Sequence, residues 1–277
     1  MNIKIIIDKL LREPEIRVCG SEHMSGTIIF AKRNVKELLR DPLSYFLCLG
    51  FPIAMLIIMT IVDRSIPPEA HMTLFKITNL YGGIAVFGQS FLMIFTGLII
   101  SKDRSGAFLR RLYASPMKPA EYISGYTLPV MAIAVGQEII TAVCSVIIGL
   151  ITGYTFNIPR LLLSMIILIP SAAVFISLGL LFGSIFSEKA APGLCSIIIS
   201  LSCFMGGIWI DIDSIGGVFA KICKCLPFYH AVRAARCVVS GSYDGLFTSL
   251  IITVIYAAAI FSAAAFSFGK KMRSDTN

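Results

Sequence analysis

Charged residues are scarce in this chain. Asp, Glu, Lys and Arg together make up 14% of its 277 residues, whereas hydrophobic residues make up 56%. A soluble domain has about 25% charged residues, and a folded chain of this length could not hide so much apolar surface from water. The scarcity of charge excludes an ordinary soluble domain and predicts that lipid covers much of the chain.

The motifs that would give the chain a catalytic activity of its own are also missing. No G-x-x-x-x-G-K-[ST] phosphate loop occurs, and Gly269-Lys270-Lys271 has no upstream glycine at the required spacing. The three histidines form no H-E-x-x-H motif, and there is no G-x-S-x-G nucleophile elbow. We therefore expect no enzyme and no directly bound cofactor or metal. An integral membrane enzyme of another type and a membrane assembly factor stay open as alternatives.

Basic residues are in excess, with a net charge of +8, but they lie between long apolar runs. A nucleic-acid-binding surface instead shows a basic stripe, commonly with interleaved aromatic residues. Membrane lipid headgroups are therefore the predicted partners of these charges, and nucleic acid is not.

Six long stretches are uncharged or carry a single ionisable residue. A helix of about 20 residues crosses a hydrocarbon core about 30 Å thick, and the stretches lack the alternation typical of barrel strands. They predict an all-α integral membrane protein with six transmembrane helices. Because only Phe186–Lys189 separates the fourth and fifth stretches, these two must form a tight hairpin. The predicted spans are Leu43–Val62, Leu80–Ile100, Tyr126–Ile151, Leu161–Ile185, Ala190–Ile210 and Leu246–Phe268.

Lys and Arg are distributed unequally between the two sides of these spans. Of the 24 basic residues, 17 lie on the side that holds both termini and seven lie on the other side. Cytoplasmic loops keep an excess of Lys and Arg. We therefore predict a multi-pass protein of the cell membrane with both termini in the cytoplasm.

The segment Ser25–Asp41, before the first span, has an amphipathic pattern. Apolar residues recur at helical spacing and charged residues occupy the other face. This pattern predicts a helix in the inner membrane interface, with Lys and Arg toward headgroups, that ends at Pro42. A generic basic juxtamembrane helix is the alternative. The apolar positions are Ile28, Val35, Leu38 and Leu39, and the charged ones are Lys32, Arg33, Lys36, Glu37 and Arg40.

A second cytoplasmic segment, Ser101–Tyr126, links the second and third spans. Phe108, Leu109 and Leu112 are compatible with a short amphipathic helix that stops at Ser115 and Pro116. Such a basic helix could dock into the groove of a soluble partner. A solvated positive loop is the alternative interpretation.

The longest predicted outer segment, Asp211–Gly245, is unexpectedly apolar. We expect it to lie in the outer interface or to re-enter the membrane, although a small extracellular helical hairpin is also compatible. It also contains an odd cysteine trio, which allows a disulfide but does not specify a pairing. The apolar positions are Ile215, Val218, Phe219, Ile222 and Leu226, and the cysteines are Cys223, Cys225 and Cys237.

Two polar residues, Gln137 and Glu138, interrupt the third predicted span. An ionisable group at the centre of a span costs about 2.5 to 3.5 kcal/mol on insertion scales, so it usually faces the bundle interior or a wet cavity. Glu138 either lines a path through the protein or makes a helix-packing hydrogen bond to Gln89 or to Ser and Thr neighbours.

Three groups of residues outside the spans form a recognisable order. The first ends the interfacial helix, the second lies in the loop after the second span, and the third follows the fifth span. The first group is Arg40, Asp41 and Pro42. The second is Asp103, Arg104, Gly106, Arg111, Leu112, Ser115, Pro116 and Gly125. The third is Gly206, Gly207, Pro227, His230, Ala231, Val232, Arg236 and Gly241.

In this order the groups resemble the type-2 permeases of ABC transporters, particularly the small drug-export-like members. The resemblance extends over about Ile28 to Phe268, and it departs from the family pattern where Ile210 and Asp211 replace the usual proline. It implies a six-helix permease domain over residues 25–268, between cytoplasmic tails at 1–24 and 269–277. It also implies a transporter of two permease chains and two ATPase subunits, which would bind ATP and Mg.

The resemblance further implies roles for particular residues. The coupling segment that contacts the ATPase would comprise Asp103, Arg104, Gly106, Leu109, Arg111, Leu112, Ser115 and Pro116. Arg33, Lys36, Arg40 and Asp41 of the interfacial helix would contribute to that contact. Candidates for the transport path are Glu138, Gln137 and Gln89, and candidates for the outer gate are Gly206, Gly207, Pro227, His230 and Arg236. The expected substrate is a lipophilic or amphipathic drug, peptide or lipid.

The orientation can be tested by cysteine labelling. In a variant whose own cysteines are replaced, single cysteines near Ser187 and after Lys271 should react only from the cytoplasm. A cysteine near Asp213 should react from outside. Labelling of intact cells with a membrane-impermeant maleimide measures this, and outside labelling after Lys271 would overturn the orientation.

Overall fold

Helices account for almost all of the residues that the structure describes. The computed structural model describes residues 26–40, 46–67, 73–105 and 119–274, and these ranges contain no strand. The predicted tail at residues 1–24 lies outside them. The helices are α1 Gly26–Arg40, a π-helical turn Phe46–Gly50 that leads into α2 Phe51–Ser65, α3 Ile77–Ser105, α4 Pro119–Thr152, α5 Ile158–Ile185, α6 Ala191–Met205, α7 Ile212–Ile215, α8 Gly217–Cys223, α9 Pro227–Ser240 and α10 Leu246–Ser274.

Within the described residues, five helical stretches are long and apolar enough to cross a membrane. The fifth predicted span instead forms α6, which has 15 residues. Such a helix is about 22 Å long, shorter than a hydrocarbon core of about 30 Å, and turns follow it from Gly206. The all-α membrane fold is confirmed, and the sixth crossing stays a prediction. The membrane-length stretches are Phe46–Ser65, Ile77–Ser105, Glu121–Thr152, Ile158–Ile185 and Leu246–Lys270.

Helix α3 is the centre of the bundle. It is buried over most of its length and contacts α2, α4, α5, α6 and α9, while α10 packs on the other side of α5. The C-termini of α3 and α5 lie near α1, and we call this side of the bundle the α1 end. The opposite side, where α3 begins and α9 ends, is the α9 end.

The predicted hairpin between the fourth and fifth spans is confirmed. Helix α5 ends at Ile185 and α6 begins at Ala191. The Ser187 carbonyl accepts hydrogen bonds from the amides of Ala190 and Ala191, at 3.0 and 2.9 Å. These bonds close the turn, so the two helices are joined at the α1 end without a longer loop.

Helix α9 starts beside α10 well away from the α9 end of the bundle. The Cys225 carbonyl, just before α9, accepts a 2.7 Å hydrogen bond from the hydroxyl of Tyr256. Tyr256 lies ten residues into α10, or about 15 Å from its start. In the first turn of α9, Phe228 stacks on Phe175 of α5 with ring centroids 5.5 Å apart. The other end of α9 reaches the start of α5, where Arg160 donates to the Ser240 carbonyl at 3.5 Å.

The segment before α10 therefore re-enters the bundle, as the sequence predicted. Three apolar side chains of α7 and α8 lie on the surface: Ile215, Val218 and Ile222 are 56%, 73% and 50% exposed. An exposed apolar patch of this kind suits the membrane interface rather than water.

Two glycines let α3 and α5 approach each other closely. A Cβ atom on Gly179 would lie 2.5 Å from the Met93 carbonyl oxygen and 2.7 Å from the Cβ of Thr96. A Cβ atom on Gly183 would lie 2.7 Å from the Gly97 carbonyl oxygen. Small residues at such crossings allow the backbone contact that drives helix association in lipid.

We expect Gly179→Ala to destabilise the bundle by about 1 to 3 kcal/mol, the usual cost of overpacking. The obstructing atom is a backbone oxygen, which cannot rotate away. Thermal unfolding of the purified protein in detergent measures the loss. Gly136→Ala is the matched control, because a Cβ atom there has no atom within 4 Å, and it should unfold at the wild-type temperature or above. Equal stability of the two variants would contradict the close packing.

Candidate functional site

An ion pair joins three helices at the α1 end. Arg33 of α1 donates to both carboxylate oxygens of Asp103 at the end of α3, at 2.5 and 2.8 Å. The Tyr126 hydroxyl, on α4, donates to the same carboxylate at 2.9 Å. Asp103 is only 4% exposed, so these donors replace the water that a carboxylate needs. Arg33 also pairs with Glu37 at 2.9 Å.

Apolar packing supports the ion pair from the same face of α1. The ring of Phe30 meets the rings of Tyr122 and Tyr126 edge to face, with centroids 5.9 and 4.8 Å apart. One turn further along, Asn34 donates to the Gly125 carbonyl at 2.9 Å. Leu38, one more turn on, is also buried. This i, i+4, i+8 face attaches α1 along the start of α4.

The structure corrects one detail of the predicted interfacial helix. Ile28 and Val35 of its apolar face are 53% and 39% exposed, which agrees with a helix that lies in the membrane interface. Arg33, predicted to face lipid headgroups, turns inward to Asp103 because that carboxylate lies buried beside it. Of the other predicted contact residues, Arg40 is exposed and Lys36 is half-buried, whereas Asp41 lies outside the described residues.

Arg104, which the resemblance placed in the coupling segment, makes contacts within the bundle. It donates to the Ser184 carbonyl and to the Phe186 carbonyl, the latter at 2.7 Å. These carbonyls end α5 and have no partner within the helix. Arg104 therefore caps α5 and ties its end to the end of α3, and nearby Ser105 donates to Glu188 at 3.2 Å.

These contacts fix both ends of the predicted coupling segment. The end of α3 is held by Asp103 and Arg104, and the start of α4 is held by Tyr122, Gly125 and Tyr126. The remaining predicted coupling residues lie outside the described ranges, so their roles stay predictions. They are Gly106, Leu109, Arg111, Leu112, Ser115 and Pro116.

A second polar cluster lies near the middle of the bundle. Gln89 of α3 donates through its amide to a carboxylate oxygen of Glu138 on α4, and also to the Leu168 carbonyl of α5 at 3.1 Å. Both side chains are almost fully buried. Gln137 does not join them: it donates to the Ala85 carbonyl at 3.3 Å. The predicted hydrogen bond between Glu138 and Gln89 is therefore present.

The two halves of this polar group face different cavities. Gln89 and Glu138 line a cavity of about 130 Å³ between α4 and α5. Gln137 lines another of about 170 Å³, bounded by α1, the π-helical turn and α4. Consecutive residues on a helix point about 100° apart, so Gln137 and Glu138 face different cavities although they are neighbours in sequence.

A polar cavity of about 290 Å³ lies at the α9 end. Of the predicted gate residues, Gly206, Gly207 and Arg236 line it. Arg236 donates to the Asn79 carbonyl at the start of α3, at 3.0 Å. Gly207 adopts a φ of +74°, a conformation that glycine takes without steric cost, and so turns the chain sharply after α6.

The other two predicted gate residues lie away from this cavity. Pro227 is the first residue of α9. The His230 ring nitrogens lie 2.8 Å from the Lys224 carbonyl oxygen and 3.3 Å from the Ser249 hydroxyl. His230 thus connects the start of α9 to α8 and α10, which is a structural arrangement rather than part of the cavity wall.

An exposed ion pair closes the loop before α9. The Lys224 ammonium donates to the Asp213 carboxyl at 2.7 Å, and this hydrogen bond lowers the pKa of Asp213. The Tyr229 hydroxyl donates to the same carboxyl at 3.1 Å. Surface pairs of this kind contribute little to stability.

Cys223, Cys225 and Cys237 are free thiols, so no disulfide joins these three residues. Within the described part of the chain, no group of His, Cys, Asp and Glu could hold a metal ion.

Together the fold and these polar groups define a class: a multi-pass helical membrane protein whose polar contacts are concentrated at the helix ends and at one buried cluster. More particularly, the chain belongs to the ABC-2 type transporter family, whose model matches residues 26–239. It is therefore a permease subunit of an ABC transporter, as the sequence resemblance implied. No curated protein compared with the chain matches it.

The ion pair between α1 and α3 can be tested by a double-mutant cycle. We expect Arg33→Ala to cost about 3 to 5 kcal/mol, because it leaves the buried Asp103 carboxylate with a single described donor. Arg33→Ala combined with Asp103→Ala should cost less than the sum of the two single changes. Thermal and denaturant unfolding in detergent measure these losses.

Lys32→Ala is the control, since Lys32 is exposed on the same helix, and it should unfold like the wild type. Additive losses in the double variant would show that the two side chains do not interact.

Proposed function

We propose that this chain is the membrane subunit of an ABC exporter. It moves a lipophilic or amphipathic substrate outward, driven by ATP that a separate ATPase subunit hydrolyses. ATP and Mg bind to that partner. The observation that carries the proposal is the set of hydrogen bonds made by Asp103, Arg104 and Tyr126, which hold the helices on both sides of the segment 106–118 to the bundle.

The anchors give a mechanical reason for coupling. A soluble subunit can move membrane helices only through a segment that does not slide against them. Asp103 ties the end of α3 to α1 and α4, and Arg104 ties it to the end of α5. A displacement of the segment between them is thereby passed to α3, α4 and α5 together.

The ATPase lies in the cytoplasm, so the α1 end faces inward in this proposal. Both chain termini are then cytoplasmic and the protein resides in the cell membrane, in agreement with the excess of Lys and Arg on that side. The polar cavity at the α9 end faces outward. Gly206, Gly207 and Arg236 would there control the exit of the substrate.

Two permease chains would form the complete path, as a homodimer or with a related permease. Apolar residues cover the exposed faces of α2 and α6, for example Ile61 at 60% and Ile197 at 57% exposure. Such faces suit lipid or another apolar helix. Most buried polar side chains of the described spans are Ser and Thr, and Gln89, Gln137 and Glu138 are the larger ones in α3 and α4. Much of the remaining buried surface is apolar, and this supports a largely apolar substrate.

Coupling through the segment 106–118 is tested by replacing Leu109 and Leu112 with Asp. The two leucines are three residues apart and can share a helical face, and burial of a carboxylate in an apolar groove is strongly unfavourable. We expect the double variant to insert in the membrane but to lose its ATPase subunit on purification, or to lose substrate stimulation of hydrolysis.

The matched control replaces both leucines with Met, which keeps an apolar surface of similar volume. This control should retain the ATPase and its stimulation. Normal ATPase binding and wild-type export by the Asp variant would refute the coupling role of this segment, whereas a wild-type complex that transports nothing would refute the exporter function.

A further inference from the structure

The cavity between α4 and α5 has two distinct parts. Seven of the nine residues around it are apolar, and the two polar ones are Gln89 and Glu138. Val135, Ile166 and Ile169 at its mouth are 44%, 62% and 43% exposed. The cavity thus opens sideways through an apolar rim, and its polar groups are 1% and 4% exposed. The apolar lining residues are Met131, Ala134, Val135, Met165, Ile166, Ile169 and Ala172.

The polar groups of the cavity are incompletely satisfied. Gln89 donates to one carboxylate oxygen of Glu138, but the other oxygen, Oε2, has no hydrogen-bond partner within the described part of the chain. The Oε1 atom of Gln89 also has none there. A buried acceptor without a donor is costly, so a ligand that supplies donors to both groups would be favoured.

Charge narrows the choice of ligand. Among the described residues, no Lys, Arg or His side chain pairs with Glu138. A carboxyl group in such surroundings attracts a cation and repels an anion. An ammonium group with two or three N–H donors meets both requirements, whereas an alcohol supplies one donor and no charge, and a quaternary ammonium supplies charge and no donor.

Size determines how much of the ligand the cavity holds. An apolar cavity of about 150 Å³ holds a benzene molecule, so this cavity of about 130 Å³ accommodates a head group and the first few carbons of a ligand. The rest would lie over the rim formed by Val135, Ile166 and Ile169. Glu138 is close to the middle of α4, so a ligand would reach it from the hydrocarbon layer.

We propose that the cavity between α4 and α5 binds the ammonium group of an amphipathic primary or secondary amine that enters sideways from the membrane. The carboxylate of Glu138 and the carbonyl oxygen of Gln89 accept its N–H groups, and the apolar rim holds its hydrocarbon part. This inference rests on the proposed function in one respect, because it names the class of substrate that the exporter takes up from the lipid.

Photolabelling of the permease alone tests the site without an ATPase. The probe is a dodecylamine that carries a diazirine group, and the protein is reconstituted in phosphatidylcholine nanodiscs. We expect labelled peptides from α4 and α5 around Val135 and Ile166. Dodecylamine should compete with the label, whereas dodecanol and dodecyltrimethylammonium should compete at least about tenfold more weakly, since each lacks part of the charged hydrogen bonding.

Two variants separate the polar and apolar parts of the site. Glu138→Gln keeps the side-chain shape and a partner for Gln89, yet it should weaken competition by dodecylamine about tenfold or more. Val135→Trp should block the rim and abolish the label. Val143→Trp is the matched control: Val143 is 53% exposed and lies two turns along the same face of α4, and this variant should label like the wild type.

Several outcomes would overturn the site: equal labelling of all exposed helices, equal competition by dodecanol, or unchanged competition by dodecylamine in Glu138→Gln. Each of these outcomes leaves the exporter function intact. Conversely, a result that refutes the coupling role of Leu109 and Leu112 leaves amine binding intact.

A repeat with phosphatidylethanolamine in the nanodiscs identifies the source of the ammonium group. Competition by this lipid assigns the site to lipid headgroups, and no competition assigns it to free amines. Both results support ammonium recognition.

Discussion

The arrangement of the α1 end depends on one buried carboxylate. Asp103 ends the central helix at a place that water barely reaches, so its charge requires donors from the chain itself. Arg33 and Tyr126 supply them from two other helices. Together with the packing of Phe30 and the hydrogen bond of Asn34, these bonds hold the amphipathic helix α1 against the start of α4 and give the helices on both sides of the segment 106–118 a common support.

The buried carboxylate of Glu138, in the middle of the bundle, also requires hydrogen-bond donors, but there the requirement is only partly met. Gln89 satisfies one oxygen of Glu138 and a carbonyl of α5, but acceptors of both side chains stay without a described donor. At the α1 end both oxygens of the Asp103 carboxylate accept hydrogen bonds, and these bonds hold the helices together. In the centre the polar groups are unmatched, and this is why the cavity beside them suits a cationic ligand rather than a structural role alone.

Close backbone packing joins these two regions. Gly179 and Gly183 bring α5 against α3 with no room for a side chain, so displacement of one helix must be passed to the other. Helix α9 packs along the same two helices: Phe228 near its start stacks on Phe175 of α5, and Arg236 near its end donates to the Asn79 carbonyl at the start of α3. The bundle thus provides a continuous route of contacts from the α1 end to the polar cavity at the α9 end.

The sequence by itself determined the membrane class, the long helices, the tight hairpin after α5 and the re-entrant segment, because burial of the backbone in lipid needs long apolar runs that are visible locally. The family pattern also indicated Asp103 and Arg104, and the position of an ionisable residue within a span indicated Glu138. Tertiary structure alone decided their partners: Arg33 and Asp103 are 70 residues apart, and Arg104 caps α5 instead of facing outward. It also separated Gln137 from Glu138 and shortened α6. Such outcomes depend on which helix faces meet across the bundle, and no periodicity within one segment contains that information.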